Sequence, residues 1–174
     1  MIRPCQLMFV LMCLLSGVTR ADAEAPVVTW PNGWTVETVP QDEAKPQVSR
    51  QRGVKNDQDG TPVMVMELTM TQVESGHQVN LEGVLLEMRK SVQKDFFQGG
   101  YQSVCNKIHP TALSRLSALE TTCTITQNGR HVLSQTLVAA VDGDKAYVLS
   151  YAGQAEVYKA SQGDIEAARN SLKL

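Results

Sequence analysis

Two dipeptides, Asn128-Gly129 and Asp142-Gly143, separate three runs of strand-forming residues between Leu119 and Ala152, and no other feature limits the fold of this chain so strongly. A two-residue primed turn needs positive φ at its centre, which Asn, Asp and Gly supply at low cost, so each dipeptide predicts a tight antiparallel hairpin. The first turn sets Gln127 opposite Arg130 and Ile125 opposite Val132; the second sets Val138 opposite Tyr147. Carried along the strands, this register places Leu119, Cys123, Ile125, Val132, Val138, Tyr147, Leu149 and Tyr151 on one face. Leu133, Leu137, Ala139, Val141, Ala146 and Val148 fall on the other. Both faces are apolar near the centre, whereas a sheet with one wet face alternates between apolar and polar. The sheet is therefore expected to be covered on both sides, by helices or further chain.

The chain opens with Met1-Ile2-Arg3, an apolar run from Leu7 to Val18, and Ala21-Asp22-Ala23, a small-x-small cleavage site. That order predicts a secretory signal peptide over 1–23. The apolar run falls short of the roughly 20 residues that span a bilayer, so no lasting membrane anchor is expected after cleavage. Removing Arg3, Arg20 and Asp22 leaves 14 basic and 17 acidic residues in the 151 that remain. Such a balance gives no basic surface for nucleic acid or anionic lipid. Residues 24–29 read as a flexible leader and 30–174 as one domain, periplasmic or secreted.

Cys105 and Cys123 are the only cysteines beyond the signal peptide. An even pair in an oxidising compartment predicts a disulfide. With 17 residues between them, loop closure contributes about 3 kcal/mol.

Ahead of the hairpins, Trp30-Pro31-Asn32-Gly33-Trp34 is a turn cluster bracketed by two tryptophans, and both are candidate partner contacts. Thr35 to Val39 and Val48 to Lys55 read as strands, the second placed at an edge by its charges. Asp57 to Gly60 is a turn. In the strand from Thr61 to Gln72, Met64, Met66, Leu68 and Met70 share a face. Thioethers suit copper(I), but flexible core filling beneath a helix explains the same period without a ligand role. Asn80 caps a helix from Leu81 to Phe97 with Leu81, Val84, Leu85, Met88, Val92 and Phe96 on one side, ended by Gly99 and Gly100. This helix is expected to cover the methionine stripe. Tyr101 to Ile108 reads as a strand, and His109-Pro110 as a break after it. Ser161-Gln162-Gly163-Asp164 has capping-box spacing ahead of a terminal helix that buries Ile165, Ala168 and Leu172.

The pattern resembles the PsbP-like fold. The likeness rests on the Pro-x-Gly-Trp start at Pro31 to Trp34, a Gly-centred hairpin, Lys145-Ala146-Tyr147-Val148-Leu149-Ser150-Tyr151 and the closing Asn170-Ser171-Leu172-Lys173. Cys105, Cys123 and the segment from Pro40 to Gly60 have no counterpart in that pattern. The resemblance implies an α+β chain with an antiparallel sheet sandwiched between helices, as in small exported bacterial domains of unknown function, and it carries over no active site. His77, His109 and His131 lie outside any recognisable catalytic motif, and Asp142 with Asp144 offers too few oxygens for calcium. The expected function is an exported, soluble, non-catalytic binding module of the bacterial envelope with an envelope or secreted protein partner and no cofactor. The alternative is a periplasmic metal or small-ligand carrier, with a hydrolase a distant third.

Overall fold

The central hairpins form at both dipeptides in a computed structural model that describes residues 26–174; the expected signal peptide, and residues 24 and 25 of the leader, lie outside the described residues. Strand β6 (Leu116–Gln127) turns through Asn128 and Gly129, at φ 50° and 76°, into β7 (Arg130–Asp142), which turns into β8 (Lys145–Gln154). Gln127 opposes Arg130 as expected, but a bulge beside Ile125 and Thr126 sets Ile125 opposite Leu133 instead of Val132. That extra residue moves Leu119, Cys123 and Ile125 onto the face of Leu137 and Ala139. The second turn uses Gly143-Asp144 in place of Asp142-Gly143, with Gly143 at φ 60° in its first central position, as a type II′ turn requires. Val138 then opposes Leu149 and Ala140 opposes Tyr147. The shift is an even number of residues, so the faces of Val138, Tyr147, Leu149 and Tyr151 survive it.

The other strands are β1 (Trp34–Glu37), β2 (Val48–Asn56), β3 (Pro62–Gln72), β4 (Gln102–Cys105) and β5 (His109–Leu113). They complete an antiparallel sheet in the order β1-β2-β3-β8-β7-β6-β4, with β5 also paired to β6. β2 is therefore internal, not an edge: β1 pairs along it, and its Arg52 is matched by Glu67 of β3 at 2.6 Å. His109-Pro110 does not break the sheet but starts β5, where Pro110 needs no donor on the side away from β6.

Helices cover both faces, so the chain is an α/β/α sandwich. Helix α1 (Leu81–Gln98) starts at Asn80, whose side chain accepts from the Gly83 amide, and ends at Gly99. It buries Leu85 against Leu137 and Ala139, with Leu119 and Val148 beside them. Helices α2 (Ala155–Ala160) and α3 (Gln162–Ser171) lie on the opposite face, where Ile165, Ala168 and Leu172 join Met64, Met66, Leu68, Val138, Leu149 and Tyr151 in the larger core. The methionine stripe is core, as expected, but its cover is the α2–α3 segment and not α1. The reason is topological: α1 carries the chain from β3 to β4 at the far side of the sheet, so it packs over β7, β6 and β4.

The stretch expected to be a flexible leader is held in place over 26–29. Val27 bridges Lys173 with backbone bonds of 3.0 and 3.1 Å, the Thr29 amide donates to Ser171 Oγ, the Gln51 amide donates to the Pro26 carbonyl, and Val28 is buried. Cys105 and Cys123 face each other on β4 and β6 and are joined by a disulfide, with Cα atoms 3.8 Å apart. The bridge ties the last strand to the central hairpins.

Candidate functional site

The two tryptophans part company. Trp34 is buried, and its indole N–H donates to Asp164 Oδ2 at 3.3 Å. Lys55 Nζ reaches the same oxygen and Ser161 Oγ, each at 3.1 Å. The Ser161 and Asp164 side chains are thus turned to Lys55 and Trp34, and the expected capping box is not made: Ser161 has no side-chain cap bond because α2 runs directly into α3. The Lys55 hydrogen bond, with the indole N–H second to it, holds the Asp164 carboxyl below its ordinary range.

Trp30 is only partly buried. Its ring lies on the backbone of β2 at Gly53, where an added Cβ would come within 2.4 Å of Trp30 Cε3. Gly53 is the register partner of Val36, which is 58% exposed on the same face of β1. An indole and an exposed valine therefore flank one another at the end of the sheet.

The two ends of the sheet differ. At β4 the Ser103 carbonyl accepts from Gln93 Nε2 at 3.2 Å and the Cys105 carbonyl from an Arg89 guanidinium N–H at 3.4 Å, so α1 caps the outward backbone of that strand. At β1, among the described residues, no side chain bonds to the backbone of Thr35, Val36 or Glu37. Unpaired strand groups of this kind are available to another chain.

A separate polar cleft of about 480 Å³ opens between the sheet and α3, walled by Thr111 of β5, Glu120 and Thr122 of β6, Tyr151 of β8, Tyr158 of α2, and α3. Arg169 organises its floor. The guanidinium donates to Glu120 Oε2 at 2.7 Å, Tyr151 Oη at 3.3 Å, Thr111 Oγ1 at 2.9 Å and the Ala112 carbonyl at 2.7 Å. Thr122 and Thr136 share a hydroxyl bond of 2.7 Å, Thr136 bonds the Tyr158 hydroxyl, and the Tyr151 and Tyr158 rings stack with centroids 5.9 Å apart. Burial, reinforced for Tyr151 by the nearby Glu120 charge, raises the pKa of both phenols, so they act as neutral donors and acceptors.

His109, His131 and Glu120 are each engaged in internal contacts. His109 Nδ1 lies 3.1 Å from the Lys107 carbonyl, and its Nε2 is 3.9 Å from Glu120, whose charge Arg169 already pairs. His131 Nε2 sits 2.9 Å from Ser134 Oγ but also 3.0 Å from the Leu133 carbonyl. A carbonyl only accepts, so the tautomer that satisfies the Leu133 contact puts the proton on Nε2 and turns no lone pair to the serine. Met64 and Met66 are closed into the core, away from any opening. Sequence reasoning missed the cleft altogether: Thr111, Glu120, Tyr151 and Arg169 come from four separate elements and form no local motif.

Solved structures of known proteins share this architecture. A cyanobacterial PsbP (CyanoP) from Synechocystis sp. PCC 6803 superposes with a TM-score of 0.61 at 13% identity, covering 86% of each chain. LpqN of Mycobacterium tuberculosis, described as involved in cell envelope biogenesis, superposes with a TM-score of 0.53 at 14% identity, covering 88% of this chain and 86% of its own. At such identities the likeness establishes the PsbP-like fold. No curated protein matches the chain in sequence. Residues 25–174 match one family along their whole length, and the chain belongs to it: the family described as a domain of unknown function, DUF4946.

Proposed function

We propose that this chain is an exported, non-catalytic binding module of the bacterial envelope that meets a protein partner at Trp30 and the adjoining edge of β1. The observation that carries this reading is the pairing of Trp30 and the exposed Val36 around Gly53, beside an edge that no described side chain caps. A partner strand laid along β1 would gain backbone hydrogen bonds from the edge and specificity from the indole and valine. The disulfide supports export, since such bonds persist in oxidising compartments. The involvement of LpqN in cell envelope biogenesis fits the same compartment. Non-catalysis is supported by the engagement of Glu120, Arg169 and His131 in internal bonds.

The test is chemical crosslinking in the native envelope followed by capture of the tagged chain. Val36→Lys changes an exposed side chain, so it should leave the melting temperature and the disulfide unchanged while removing the crosslinked partner. A partner retained by both Val36→Lys and Trp30→Ala would place the contact elsewhere.

A further inference from the structure

We infer that the cleft between the sheet and α3 is a binding site for a neutral, polyhydroxylated ligand, a short stretch of glycan. Gln162, Glu166 and Asn170 line the cleft from α3 and are exposed. They stand four residues apart, so they share one helix face at intervals of about 6 Å. Each ends in a planar carboxamide or carboxylate that engages two neighbouring hydroxyls at once. Of the three, only Gln162 is held internally, by a 2.9 Å bond from Nε2 to the Tyr158 carbonyl; Glu166 and Asn170 make no side-chain hydrogen bond among the described residues. The opposite wall supplies the hydroxyls of Thr111, Thr122, Tyr151 and Tyr158, held by the bonds described above. A row of planar groups on one wall and fixed hydroxyls on the other is suited to a sugar.

The charge balance of the cleft disfavours the other ligand classes. The positive charge of Arg169 is spent on Glu120, with the two side chains 17% and 16% exposed, so the cleft itself keeps, among the described residues, no free cation to attract a phosphate or acidic sugar, and the exposed Lys159 of the adjoining depression shares it with Glu156. Glu166 is the single unpaired charge in the cleft, too little to select a basic peptide, and the polar walls offer nothing to a lipid tail. The volume, about 480 Å³, is in the range of small-ligand sites, roughly 300–1,000 Å³. Tyr158 and Gln162 also line an adjoining depression with His131, Ser134, Glu156 and Lys159, so the cleft continues as a groove in which a chain can lie.

This inference does not depend on the partner contact at β1, and one experiment separates them. Uniformly 15N-labelled protein is titrated with cellotetraose, chitotetraose, tetralysine and tetragalacturonate, each alone. At least one of the two neutral tetrasaccharides should give saturable amide shifts confined to Thr111, Thr122, Tyr158, Gln162 and Asn170. Gln162→Ala with Asn170→Ala should weaken that binding about tenfold or more, as loss of two hydrogen-bonding side chains implies, while Val36→Lys leaves it unchanged. Shifts with tetralysine or tetragalacturonate alone, shifts outside the cleft, or no shift with either neutral sugar would overturn it.

Discussion

Gly53 should be the position where the smallest change does most. A Cβ there would meet Trp30 Cε3 at 2.4 Å and Cζ3 at 2.6 Å, distances that no rotamer adjustment of a methyl group relieves, so Gly53→Ala must lift the indole from β2. An indole buries about 150–250 Å² when fully enclosed. Trp30 is partly buried, and returning roughly 100 Å² of it to water costs about 2.5 kcal/mol at 25 cal/mol per Å². Against this stands the gain of about 0.5–1 kcal/mol from removing a glycine from a strand interior. The net loss is about 1.5–2 kcal/mol, or roughly 5 °C in melting temperature for a domain of this size. The assay is a double-mutant cycle by urea unfolding. In the Trp30→Ala background the clash is absent, so Gly53→Ala should be neutral or stabilising, and the coupling between the sites should be about 2.5 kcal/mol. Equal destabilisation in both backgrounds would refute the seat that Gly53 provides for Trp30.

Arg169→Ala leaves Glu120, 16% exposed, without its partner, and should cost about 3–5 kcal/mol in urea unfolding, with Glu120→Gln in the same chain recovering part of it. Replacing both Cys105 and Cys123 by Ser should remove about 3 kcal/mol, and a wild-type urea midpoint that reductant does not move would contradict the bridge. Stability should fall as pH rises above about 10, because unfolded tyrosines release their protons there while Tyr151 and Tyr158 keep theirs. The folded state then binds more protons than the unfolded one, which makes the slope negative. Urea midpoints should show a shallower alkaline loss when both tyrosines are replaced by Phe.

Local rules determined most of the framework. Asn128-Gly129 dictates its own hairpin because positive φ is a property of those two residues. Asn80 and Gly99 bound α1 because capping acts over a single turn. Period two places Met64, Met66 and Leu68 on one face whatever lies above them, and two cysteines outside the expected signal peptide leave one intramolecular pairing. Alternation cannot, however, name the helix that covers a face. That was decided by the route of the chain from β3 through α1 to β4, which left the methionines to α2 and α3. Nor does it register a single bulged residue, and the one beside Thr126 moved Leu119, Cys123 and Ile125 across the sheet. Ser161 and Asp164 have the spacing of a cap, but Lys55 and Trp34, more than 100 residues earlier, take their side chains instead. Hydrogen-bond spacing within a helix is written in the sequence, whereas a competing partner from a distant strand exists only once the sheet and α3 are packed. The cleft is subject to the same limit: Arg169 meets Glu120 across 49 positions and Thr111 across 58, a convergence that tertiary packing alone creates.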